Sequence, residues 1–148
     1  MEVVWKIKSF DQLTVKELYG LLRLREQVFI IEQDCIYPDI DNKDYKALHI
    51  LGMAEGEVIS YARIFKPGDY FETAAIGRVV TDKTYRNLKI GFTLMQKSIA
   101  AVEEYFSQTT ITISAQCYLT GFYESLGFVQ VGEGYLEDNI PHIRMVRG

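Results

Sequence analysis

Cysteine and proline are scarce in this chain: Cys35, Cys117 and three prolines among 148 residues. Two cysteines are too few for a disulfide framework, and a reduced, cytoplasmic setting is the default expectation. Few prolines, with 48% hydrophobic and 24% charged residues, exclude a disordered or collagen-like chain. No apolar run approaches the roughly 20 residues of a membrane-spanning helix, so no membrane partner is expected. The start, Met1-Glu2-Val3-Val4-Trp5, lacks the basic segment and apolar run of a signal peptide. Positive charge is also short: the formal net charge is -4. Nucleic-acid binders normally show a basic balance. The ten tyrosines are dispersed and offer no stacking platform. No nucleic-acid partner is expected. His49, His142 and the two cysteines are too scattered for metal-ligand spacing, so no metal is expected.

What is present suits one domain, residues 1–148. A chain this long buries roughly two-thirds of its unfolded surface. No repeat, low-complexity segment or linker interrupts it. Val3 to Ile7 alternates as a first strand. Thr14-Val15-Lys16-Glu17 is a capping box, predicting a helix to about Val28 with Val15, Leu18, Leu22 and Arg25 along one side and Leu21 and Val28 widening it. Glu32 to Asp44 holds five acids and Pro38 and reads as a loop. Leu48–Met53 and Val58–Ile64 form a hairpin pattern. Ala74–Thr81 is a strand, Ile90–Phe106 a helix, and Thr109–Ser114 a β-branched strand. Gly121–Leu126 suits a short helix ended by Gly127. Phe128–Val131 and Ile143–Val146 close the order β-α-ββ-β-α-β-α-β-β. That mixture argues for an α/β layer structure rather than a doubly wound parallel sheet.

Two segments carry chemistry. Ile76 to Gly91 is strand, polar basic loop, then helix start. Helix starts offer unpaired amides and favour phosphate, and Arg86 and Lys89 add charge. The segment is a diphosphate cradle or an ordinary strand-helix connection with solvated basic residues. The second segment runs from Ile111 to Phe128 and ends Phe122-Tyr123-Glu124-Ser125-Leu126-Gly127-Phe128.

That ending resembles the "FYEKLGF" signature of the GNAT N-acyltransferase superfamily. Arg86-x-x-Lys89-x-Gly91 is similar to its "Q/R-x-x-G-x-G/A" diphosphate loop, in the right order and spacing. Leu24-Arg25-x-x-Val28-Phe29-x-x-Glu32-Gln33, the Tyr37–Asp41 stretch, Leu48-His49-Ile50-Leu51-Gly52 and Ile140-Pro141-His142-Ile143 extend the resemblance to the ElaA-like branch over nearly the whole chain. Two positions depart from the pattern. Lys89 stands where the family usually has its first glycine, and Gln116 where many members have asparagine.

The resemblance implies a single-domain GNAT fold: a mixed, mostly antiparallel sheet with splayed central parallel strands, flanked by helices. It implies acetyl-CoA as cosubstrate and an N-acetyltransferase moving the acetyl group to a primary amine by direct attack. The backbone of Val79, Val80 and Thr81 would meet the pantetheine arm and the oxyanion. Arg86, Asn87, Leu88, Lys89, Ile90 and Gly91 would hold the diphosphate, and Gln116 would contact the cofactor or the helix start. Tyr123 takes the family's general-acid position, although on residue type alone it is equally an aromatic packed under a helix. His142 is the leading base, with His49 and Glu32 as alternatives. Cys117 has no adjacent cation to activate it and reads as an inert small residue.

The acceptor, a small molecule or a peptide amine, is open, and so is oligomeric state, with a homodimer among the options. Asp39, Asp41 and Asp44, with Glu32 and Asp34, are read either as an acidic rim that draws a cationic acceptor or as a solvated loop. A non-catalytic acyl-CoA-binding module on the same fold and a cofactor-free interaction domain are the rival functions.

Overall fold

The computed structural model describes residues 2–148. Strand β1 (Val4–Ser9) is followed by helix α1 (Val15–Arg25) and a hairpin, β2 (Leu48–Ala54) and β3 (Glu57–Phe65). Then come β4 (Ala74–Thr81), α2 (Ile90–Phe106), β5 (Ile111–Gln116), the short helix α3 (Thr120–Glu124), β6 (Val129–Glu137) and β7 (Ile140–Arg147). The strands form one sheet in the order β1-β2-β3-β4-β5-β7-β6, antiparallel except for β4 and β5. The order of elements read from the sequence holds.

The capping box at Thr14 forms as expected. The Glu17 amide donates to Thr14 Oγ1 (3.0 Å), and Glu17 Oε1 accepts from the Thr14 amide (2.9 Å). Lys8 also donates to Glu17 Oε1 at 2.8 Å, which ties α1 to β1. The buried side of α1, however, is Glu17, Leu21, Leu24 and Arg25. Val15 is 87% exposed, against the expectation that it faces the core. The helix also does not run evenly to Val28. After Arg25 it widens into a π-helical stretch, Glu26–Glu32, with amides bonding five residues back: Gln33 to Val28 (3.2 Å) and Cys35 to Ile30 (3.1 Å). The hairpin turns carry positive φ at both central residues, Glu55-Gly56 and Asp138-Asn139. Such turns match the twist of paired strands. The second one extends β6 and β7 well beyond the short closing strands expected.

Two cores flank the sheet. Leu94, Met95 and Val102 of α2 pack on Ile50, Ala62, Ile64, Ile76, Ile111 and Ile113. On the other face, Leu21, Leu24, Val28 and Phe29 pack on Leu51, Tyr61 and Val80. Ile76 faces the α2 core whereas Val80, four residues on, faces the α1 core. A strand alternates faces with period two, so the swap needs one irregularity. It lies at Arg78, whose φ is +51°, where the β3–β4 register breaks between Tyr61–Val80 and Arg63–Gly77. This is a bulge, and bulges re-aim side chains beside functional sites.

Candidate functional site

β4 and β5 are paired only at Ala74–Ile111 and Ala75–Thr112. Beyond these pairs they part. One edge of β4 keeps β3 as partner; the edge toward β5 has none along Ile76–Thr81. Buried backbone groups need partners, so this edge is a place for a ligand rich in amides. The gap opens a cleft of about 360 Å³ whose walls include Gly77–Thr81, Ser114 and Gln116. It connects the two faces of the sheet. Phe122 and Tyr123 line it from the α2 side, and Glu32, Gln33, Glu137 and His142 from the α1 side.

Each residue expected from the sequence can now be placed. Arg78, Val79, Val80, Thr81, Arg86, Gly91, Gln116, Tyr123 and His142 line the cleft. Lys83–Leu88 forms a 3-10 turn that leaves Asn87 and Leu88 exposed. Lys89 has φ +59° and ψ +20°, directly before α2. This left-handed conformation explains why a glycine is usual at the position: it costs an ordinary residue roughly 1–2 kcal/mol. Ile90 buries its side chain against Ala54 and Ile59, so only its backbone is available. The α2 ladder begins with the Thr93 amide on the Lys89 carbonyl (3.2 Å), and no side chain caps the start. The amides of Ile90, Gly91 and Phe92 precede that ladder. A Cβ built at Gly91 would have Thr81 Oγ1 no nearer than 3.8 Å, leaving an open approach to the backbone. Unpaired amides, an absent side chain and a positive dipole end fit a diphosphate.

Arg86 is already engaged. Its guanidinium pairs with the Glu32 carboxylate and its Nε donates to the Thr81 carbonyl (3.0 Å). Gln116 exchanges amide contacts of 3.3 Å with Gln33 across the cleft. Tyr123 is 5% exposed, set edge-on between Phe122 and Phe128. Its hydroxyl makes no hydrogen bond among the described residues and is not sealed from the cleft. Burial, reinforced by Tyr118, pushes its pKa well above the usual tyrosine range, so the phenol stays protonated. His142 Nδ1 lies 2.7 Å from the Ile140 carbonyl. A carbonyl only accepts, so Nδ1 carries the hydrogen and the neutral ring keeps its lone pair on Nε2.

Two expectations fail. His49 is fully buried, bound to Tyr61 Oη (2.6 Å) and the Asp44 carbonyl (2.9 Å), and does not reach the cleft as a base. The acidic loop is not a free rim of charge. Arg25 and Arg63, 0% and 1% exposed, hold Asp44 Oδ1 at 2.8 and 2.9 Å. Arg25 also pairs with Asp39 (2.8 Å), and Arg63 with Asp41 (2.6 Å). Arg78 reaches Asp39 from the bulge, Nε to Oδ1 at 2.8 Å. Three guanidinium groups thus cancel three carboxylates. Burial alone would push Asp44 up, but Arg25 and Arg63 outweigh it and hold the carboxyl below the usual range. The pairing was missed because the arginines come from α1, β3 and β4, distant in sequence. Glu137 was missed too, since its hairpin was read short.

Among the described residues no helix is long and apolar enough to cross a membrane. The family model "Acetyltransferase (GNAT) domain" matches residues 13–147. Protein ElaA of Escherichia coli is 41% identical over 147 residues, covering 98% of this chain and 96% of that protein. The crystal structure of Escherichia coli ElaA superposes with a TM-score of 0.93 at 40% identity, over 99% of this chain and 100% of that one. A crystal structure titled as an acyl-CoA N-acyltransferase from Pseudomonas aeruginosa superposes with a TM-score of 0.94 at 38% identity, over the same shares. With the parted strands, the bulge and the uncapped helix start in place, the chain belongs to the GNAT acetyltransferase family, in its ElaA-like branch.

Proposed function

We propose that residues 1–148 act as one catalytic domain, a cytoplasmic N-acetyltransferase that uses acetyl-CoA to acetylate a primary amine on a small molecule or peptide. The observation that carries this reading is the parting of β4 and β5 after Ala75–Thr112, with Tyr123 and His142 on opposite sides of the gap. The thioester, when bound, supplies the activated acyl group. The open β4 edge at Val79, Val80 and Thr81 holds the pantetheine amides as an added strand would. One of these N–H groups faces the developing oxyanion. The backbone of Asn87, Leu88, Lys89, Ile90 and Gly91, with the Arg86 charge, holds the diphosphate. Gln116 contacts the cofactor from the end of β5.

An acceptor amine arrives mostly protonated, since alkyl amines titrate near 10. It must lose a proton before it has a lone pair to attack with. His142 Nε2 is the atom that takes it. On the other face Tyr123 gives its proton to the departing thiolate. Titration calorimetry with acetyl-CoA, followed by thiol release across a panel of amines, tests the reading. Binding with release on at least one amine is expected. No heat and no thermal shift at millimolar acetyl-CoA reject it; binding without release on any amine leaves an acyl-CoA-binding module instead.

A further inference from the structure

The cleft is lined by two carboxylates, Glu32 and Glu137. Glu32 is matched by Arg86. Glu137 is within 4 Å of no guanidinium or lysine ammonium among the described residues; its one ion-pair partner is His142, Nε2 to Oε2 at 3.5 Å. The other oxygen is fixed by a directed chain. A carboxylate only accepts, so Ser114 Oγ donates to Glu137 Oε1 (3.1 Å). With its hydrogen so used, Ser114 accepts from Tyr135 Oη, 2.5 Å away. Tyr135 in turn stacks on the His142 ring, with centroids 6.2 Å apart. Arg144, the cation on the same strand, stacks over Phe71 at 4.7 Å instead.

His142 Nδ1 holds its hydrogen toward the Ile140 carbonyl. In the neutral ring, Nε2 and Glu137 Oε2 are therefore two acceptors facing each other without a donor between them. Such a pair is satisfied when a donor with positive charge enters or when a proton is placed on Nε2. An ammonium does both in succession.

We propose that Glu137 and His142, with Ser114 and Tyr135 as positioning residues, form the acceptor site, and that it takes a cationic primary alkylammonium. This rests on the acyl-transfer reading and names its acceptor class. The ammonium donates one N–H to Glu137 Oε2 and one to His142 Nε2. The second N–H bond breaks, its electron pair stays on the amine nitrogen, and the proton forms the Nε2–H bond. The resulting imidazolium is paired with the Glu137 carboxylate. The neutral amine is left at the α1-side mouth of the strand gap.

The test uses two probes, n-butylamine, which is cationic at neutral pH, and aniline, which is neutral there. Wild-type protein is expected to prefer n-butylamine. Glu137→Gln keeps shape and removes charge; kcat/KM for n-butylamine is expected to fall about 10- to 100-fold, the size of a lost hydrogen bond between charged groups. The rate with aniline and the Kd for acetyl-CoA should hold. Ser114→Ala should raise KM for n-butylamine with kcat kept. Equal loss on both amines, or an unchanged n-butylamine rate, overturns the proposal. A second measurement separates it from the transfer reading: n-butylammonium titrated without acetyl-CoA, followed by the His142 ring resonances. A saturable shift in wild type, absent in Glu137→Gln, upholds the ammonium site even if no amine is acetylated. No shift in wild type overturns it whatever the fate of the transfer reading.

Discussion

Asp44→Asn is a severe perturbation disguised as a conservative one. The amide keeps the volume of the carboxylate, so no cavity opens. What it removes is the negative charge that Arg25 and Arg63 share at 2.8 and 2.9 Å. Both guanidinium groups are essentially without solvent, and Asp44's own side chain is 8% exposed. Breaking a buried ion pair by removing one partner costs about 3–5 kcal/mol, because a buried charge is left uncompensated. For a domain of this length, each kcal/mol moves Tm by roughly 2–4 °C, so the expected drop is roughly 6–20 °C. Thermal unfolding followed by circular dichroism at neutral pH measures it. Asp41→Asn is the internal comparison. Its side chain is 19% exposed and its partner Arg63 retains Asp44, so water and the remaining acid share the burden and the loss should be smaller. A Tm for Asp44→Asn within 2 °C of wild type, or equal losses for both variants, would refute the argument that the three-by-three network governs stability here.

Acid should destabilise the fold through the same groups. Asp41 and Asp44 are held below the usual range by arginines, and Glu17, despite its burial, is held down to about 2 by Lys8, Thr14 and Lys6. Their contribution is present above the unfolded pKa values near 4 and is lost as pH falls below them. Melts from pH 7 to pH 2 should therefore show Tm steady above about pH 5 and falling steeply below pH 4; a flat profile would contradict the assignment. Tyr123→Phe should lower turnover about 10²–10⁴-fold, the usual worth of general acid catalysis, with the acetyl-CoA Kd kept, as rapid-quench kinetics and calorimetry would show. Lys89→Gly should raise stability by up to about 1 kcal/mol, the left-handed strain relieved less the added freedom of the unfolded chain. Urea unfolding would read this, and a loss of stability would argue against strain at Lys89.

What was legible in the sequence was local. Thr14 and Glu17 lie three residues apart, and their capping box forms as spelled. The bounds of β4 and α2 coincide with the runs Ala74–Thr81 and Ile90–Phe106. The motif order around Arg86–Gly91 and Phe122–Phe128 pointed to the family that the comparisons identify. What was hidden is long-range. Nothing local in Asp39, Asp41 and Asp44 tells of arginines from three other elements, so solvated acids and buried ion pairs look alike in one dimension. Nor does a histidine reveal its neighbours: His49 and His142 differ only once the sheet puts one under α1 and the other beside an open cleft. Glu137 needed a turn built on Asp138-Asn139, a pair less usual for this conformation than Asn-Gly.

The widened turns at Glu26–Glu32 make chain length there a coordinate of specificity. An α-helix advances about 100° and 1.5 Å per residue. Deleting one residue between Gln27 and Ile31 would let the stretch settle into ordinary α-helical winding. Glu32 and Gln33 would then swing by about that angle, away from Arg86 and Gln116, their present partners across the gap. A single insertion or deletion would thus re-cut one wall of the cleft without touching β4, α2 or the sheet. Relatives that differ by one residue in this stretch would be expected to accept differently shaped amines while holding the cofactor in the same way.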